Sequence, residues 1–136
     1  MSRRPDKVIL VVDDFQDFLP YIQAELRDHG YKVELATDGQ RGLELFLTNS
    51  HDLVLTNIHM PKLNGFQLLR AVKRISPTTP VILDTGFAHF ARFFPEHATR
   101  ADAFFEKPID IEMLLNRIDQ LLGFPTIYDG KSESSD

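Results

Sequence analysis

Apolar positions along this chain fall into two alternating patterns. Five short β-like runs lie at Val8 to Val12, Lys32 to Ala36, Leu53 to Asn57, Val81 to Thr85 and Ala103 to Glu106. Val8-Ile9-Leu10-Val11-Val12 and Leu53-Val54-Leu55 are continuously apolar, as strands covered by helices on both faces tend to be. Between these runs the apolar spacing changes to three and four residues. Phe18, Ile22 and Leu26, then Leu43, Phe46 and Leu47, then Phe66, Leu69 and Val72 each predict a helix. Ile111, Leu114, Leu115, Ile118, Leu121 and Leu122 predict the last one. Gly30 and Gly123 stand where the first and last helices should end. Pro20 is tolerated if it lies in a first turn, which Asp17 is placed to cap. Pro95 falls where the fourth helix should run, so that helix is expected to be short, kinked or restarted there.

Strand and helix alternating in this way predict a doubly wound, five-stranded parallel α/β sheet with helices on both faces and right-handed crossovers. In such sheets the functional residues gather beyond the carboxyl ends of the strands. The polar residues at those ends are Asp13-Asp14, Asn57, Thr85 and Lys107. A single domain over residues 1–123 is expected. Residues 124–136 end in Lys-Ser-Glu-Ser-Ser-Asp and read as a flexible tail.

Composition then removes several function classes. The net charge is −5 and no basic stripe is present, which argues against nucleic acid as a partner. Cysteine is absent, so disulfides, thiol catalysis and cysteine-built zinc sites are excluded. No apolar run approaches the roughly 20 residues that span a bilayer, so no membrane segment is expected. Met1-Ser-Arg-Arg leads into the first strand without a signal-peptide pattern, and a cytoplasmic location is the expectation. His51 and His59 flank Asp52 loosely and His89 and His97 are eight apart, so the histidines read as solvated surface residues and not as metal ligands.

The motifs at the strand ends resemble those of the receiver domains of bacterial two-component response regulators. The resemblance rests on Val11-Val12-Asp13-Asp14, on Asp52 through Pro61 with Asn64-Gly65, on Pro80 through Gly86, and on Ala101 through Pro108. These pieces come in the family's order and spacing and cover residues 7 to about 122. The resemblance implies a flavodoxin-like fold with strand order 2-1-3-4-5. It also implies Mg²⁺ on an acidic pair, with Asp14 as direct ligand, Asp13 as its water-linked partner and the His59 carbonyl as a further ligand. Thr85 resembles the switch hydroxyl, Phe104 the switch aromatic and Lys107 the lysine that contacts the phosphoryl oxygens.

The position of the family's phosphoacceptor aspartate holds Asn57. An amide carries no full charge and cannot take a phosphoryl group as a carboxylate does. Asn57 still offers a carbonyl oxygen, so Mg²⁺ binding should be weakened and not necessarily lost. Two further departures stand out. Asp84 takes the place of an aliphatic residue just before Thr85; alternation should turn it away from Thr85, toward a helix-covered face and away from the acidic pair. Six of the eleven phenylalanines fall between 87 and 105, where an exposed aromatic such as Phe93 would suit an interface or a homodimer.

The expectation for function is therefore a receiver that is not an enzyme and is silenced as a phosphoacceptor, working as a protein-interaction module with a sensor histidine kinase or another signalling protein. The alternative is a conventional Mg²⁺-dependent phosphoacceptor, with aspartate at this position in the native gene or with another acceptor residue. An aspartyl-nucleophile phosphatase of similar topology needs a second aspartate two residues after the first. Phe15 and Gln16 stand there instead, so that reading fails.

Overall fold

The computed structural model describes residues 6–86 and 100–125. Its elements run β1 (Val8–Val12), α1 (Phe18–Asp28), β2 (Lys32–Ala36), α2 (Gly39–Thr48), β3 (Leu53–Asn57), α3 (Gly65–Ile75), β4 (Val81–Thr85), β5 (Ala103–Glu106) and α4 (Ile111–Leu122). The strands form one parallel sheet in the order β2-β1-β3-β4-β5. All the expected strands and the expected order are present. The segment with Pro95, the phenylalanines from Phe87 to Phe94, His89 and His97 lies outside the described residues, as does the tail from 126 onward.

Period-two alternation divides the core between the two sheet faces. Leu10, Val12, Val54 and Leu83 pack with Phe46 of α2 and with Phe66, Leu69 and Val72 of α3. Ile9, Val11, Leu55 and Ile82 pack on the other face with Leu19, Ile22 and Leu26 of α1 and with Leu114 and Ile118 of α4. Strands β3 and β4 are buried along their whole length and β1 from Ile9 onward, because helices cover both faces of the sheet.

Helix ends follow the local chemistry with one exception. Asn64 and Gln67 form a reciprocal capping box at the start of α3, and Asp110 caps α4 through the N–H groups of Glu112 and Met113. Gly30 and Gly123 carry positive φ, as helix stops do. Asp17 stands at the N-cap of α1, yet its side chain makes no capping bond; its backbone is itself helical, which aims the carboxylate away from the first N–H groups. Leu47, expected on the inner face of α2, is 61% exposed, and Leu45 is buried in its stead.

Two histidines also depart from the surface role expected of them. The His51 side chain is buried, stacks on Phe46 and meets Glu34 Oε1 at 2.7 Å through Nε2. His29 Nε2 and the Tyr31 hydroxyl both reach the buried Asp119 of α4, at 2.8 and 2.5 Å. Phe124 packs edge-on against Tyr31 at the same place. Among the described residues no group of three acidic or histidine side chains forms a metal cluster, and no helix is long and apolar enough to cross a membrane.

Candidate functional site at the carboxyl edge of the sheet

The strand ends deliver their polar residues to one edge. Asp13 follows β1 and is fully buried. Its Oδ1 accepts the Phe15 N–H at 2.9 Å, and its Oδ2 accepts from Lys107 Nζ at 2.7 Å. Asp14, next in the chain, is exposed. One acid is thus buried and the other faces solvent, as the alternation of an extended chain dictates.

Asn57 closes β3 and is 7% exposed. Its Oδ1 accepts the Ile58 N–H at 3.0 Å, while its Nδ2 donates to Asp14 Oδ1 at 3.3 Å and to the His59 carbonyl at 3.1 Å. The amide therefore presents its donor end to two oxygens. Gly65, at the start of α3, lets this corner close: a Cβ there would lie 2.3 Å from the Asn57 carbonyl oxygen. A cleft of about 420 Å³ opens between Phe15, Asn57, His59, Gly86 and Lys107.

Asp84 does not face away from the acidic pair. The β3–β4 register sets it directly beside Asn57, and in-register residues of parallel strands share a face. That face also carries Val11 and Phe105, whose alternation brings Asp13 and Lys107 to the same side. Asp84 Oδ1 lies 3.5 Å from Lys107 Nζ, an electrostatic contact at the limit of hydrogen bonding, and makes no hydrogen bond of its own. Asp84 does point away from Thr85, as alternation requires, but the acidic pair lies on the Asp84 side of the sheet and not on the Thr85 side. Burial is the main cause that pushes the Asp84 carboxyl up to about 7, with the Lys107 charge opposing it and the Asp13 charge adding to it.

Lys107 follows β5, and its backbone N–H donates to the Thr85 carbonyl at 2.8 Å. Its ammonium sits over the Phe18 ring at 4.3 Å and within 5.8 Å of the Phe15 ring. Thr85 is wholly buried at the same edge, beside Asp84. Phe104 is half-buried against the α2–α3 side of the core. The structure thus gathers Asp13, Asp14, Asn57, the His59 carbonyl and Lys107 around one cleft, with Thr85 at the same edge. It adds Asp84, which was expected to face away from the acidic pair, and Phe18, which the apolar spacing marked only as a helix position.

Residues 9–119 match the family model of the response regulator receiver domain. The chain belongs to that family. Among curated proteins it is 36% identical over 114 residues to the response regulator ArlR of Staphylococcus saprophyticus, covering 84% of this chain and 51% of the relative. It is 39% identical over 110 residues to the transcriptional regulatory protein DltR of Streptococcus agalactiae, covering 81% and 49%. The receiver thus spans about half the length of these relatives. Among solved structures it resembles the signal receiver domain of an HD domain-containing protein from Pseudomonas fluorescens, with a TM-score of 0.79 at 30% identity, covering 89% of this chain and 96% of that one. It also resembles the response regulator TrrA of Thermotoga maritima, solved in complex with Mg²⁺ and BeF, with a TM-score of 0.79 at 28% identity, covering 85% and 99%.

A receiver's acidic pocket implies Mg²⁺, and the donors here fit a hard, oxygen-seeking cation. Asp14 Oδ1 and the His59 carbonyl already converge on one point, the Asn57 Nδ2 atom. An N–H donor stands where the two oxygens point. For Asn57 to serve as a ligand its amide must turn over, giving up the Ile58 N–H bond for an oxygen facing the pocket. Asp13 is already held by Lys107. The oxygen donors of the set fit Mg²⁺.

Proposed function

We propose that this receiver is silenced as a phosphoacceptor and signals by protein contact in its unphosphorylated form. The observation that carries the reading is the Asn57 amide: it occupies the nucleophile's place, and its donor end is tied to Asp14 and His59. An amide oxygen lacks the charge to attack phosphorus, so the surrounding acids and Lys107 have no acyl phosphate to stabilise. Mg²⁺, when bound by Asp14, the His59 carbonyl and Asn57, would screen the negative charge of the pocket. The domain turns over no small-molecule substrate under this reading. Its partners are a sensor histidine kinase or another signalling protein, met at a site rimmed by Phe15 and Tyr21, which are 56% and 46% exposed.

Intact-protein mass after incubation with acetyl phosphate and Mg²⁺ tests this. The chain as it stands is expected to gain no phosphoryl mass. A gain would establish the second reading, which the retained Asp13, Asp14 and Lys107 favour, of a working phosphoacceptor that uses another carboxylate.

A further inference from the structure

We propose that Asp84 is a positioning residue that holds Lys107 against the sheet and forms a second lock on the site, independent of Asn57. The inference rests on the reading of a silenced receiver and deepens it. Replacing Asn57 with aspartate should then not be enough to restore phosphoryl acceptance.

Lys107 is confined from several sides. Asp13 Oδ2 holds its Nζ at 2.7 Å, Asp84 Oδ1 stands 3.5 Å away, and the Phe18 ring covers it at 4.3 Å. Asp84 is 1% exposed, on a β4 that is buried throughout, so it cannot follow the lysine outward. Charged or protonated, its carboxyl leaves Oδ1 as an acceptor facing the ammonium. Asn57 meanwhile directs its amide to Asp14 and His59.

An aspartate at position 57 would enter this arrangement as the register neighbour of Asp84. Asp13, Asp84 and the new carboxylate would then compete for the one ammonium of Lys107. In the transfer, a carboxylate oxygen at position 57 attacks the phosphorus of acetyl phosphate. A phosphorus–oxygen bond forms, the bond to acetate breaks, and acetate leaves with the electron pair. A cation free to meet the phosphoryl oxygens lowers the barrier to this attack. Asp84 holds that cation back against the sheet. An aliphatic side chain at position 84 would not.

The test compares the chain as it stands with Asn57→Asp, Asp84→Leu, Asn57→Asp/Asp84→Leu and Asn57→Asp/Asp84→Val. Each is incubated with acetyl phosphate and Mg²⁺ and followed by intact mass. Either double variant is expected to gain phosphoryl mass faster than Asn57→Asp alone by about tenfold or more. Equal rates in Asn57→Asp and the double variants overturn the proposal, and so does a folded double variant that takes no phosphate. Labelling of the chain as it stands overturns the silenced-receiver reading instead. A metal-free measurement decides the matter if a double variant does not fold. The acylation rate of Lys107 by acetic anhydride, read by peptide mass, should rise in Asp84→Leu; an unchanged rate means that Asp84 does not hold the lysine.

Discussion

Removing the Asp84 carboxyl should flatten the pH dependence of folding. In the native domain Asp84 titrates at about 7, raised from 3.8 by burial, with Lys107 opposing the shift and Asp13 adding to it. The folded state therefore holds this proton more tightly than the unfolded chain does. The resulting stability is fully present below pH 3.8 and is lost as pH rises, levelling off above the folded value near 7. The rise from 3.8 to about 7, at about 1.4 kcal/mol per pH unit, gives a loss of about 4 kcal/mol, most of it between pH 5 and 8. That is a large part of the roughly 5–15 kcal/mol by which domains are stable. Urea unfolding at pH 5, 6, 7 and 8 measures it in the native chain and in Asp84→Leu. The stability of Asp84→Leu relative to the native chain should increase by about 3 kcal/mol across that range. Parallel pH profiles for the two proteins would refute the assignment, because the carboxyl would then titrate alike in the folded and unfolded states.

Other perturbations act on the scaffold around the site. Asp119→Ala leaves the Tyr31 hydroxyl and His29 without their shared buried acceptor, and should cost about 2–4 kcal/mol in urea unfolding, whereas Tyr31→Phe should cost about 1–2. Gly65→Ala places a Cβ 2.3 Å from the Asn57 carbonyl oxygen, so a loss of about 2 kcal/mol or more is expected, with amide shifts at Asn57 to His59 in NMR spectra. Asn64→Ala breaks the capping box of α3 and should cost about 1 kcal/mol by thermal unfolding. Burial pulls the Glu34 carboxyl upward, but hydrogen bonds and charge from His51, with help from Asn49 and Arg41, outweigh it and hold the carboxyl below its ordinary range. The stability this confers is present above the ordinary carboxylate value and lost as pH falls through the lowered one. Glu34→Gln should remove that acid-side loss in urea unfolding.

Much of this was legible in the residues themselves. Continuous apolar runs marked β1 and β3 because strands covered on both sides have no wet face to mark with polar residues. Spacing of three and four marked the helices, and Gly30 and Gly123 marked two of their ends. Asp13, Asp14, Asn57 and Lys107 could be named as site residues because a parallel sheet brings its carboxyl ends to one edge whatever the lateral order of its strands. Contacts that depend on register and on side-chain competition could not be read in this way. Whether Asp84 meets Lys107 depends on which residue of β4 lies beside Asn57, and a shift of one residue would turn Asp84 to the opposite face. His51 reads as a surface histidine in the sequence; in the fold Glu34 of β2, distant in the chain, supplies a partner to its buried ring. The sequence by itself determined the strands, most of the helices and the absence of a nucleophilic carboxylate at position 57. Tertiary structure alone decided that the Asp84 carboxyl stands beside Asn57, because the distance between two strands is set by the pairing of the sheet and not by the chain that links them.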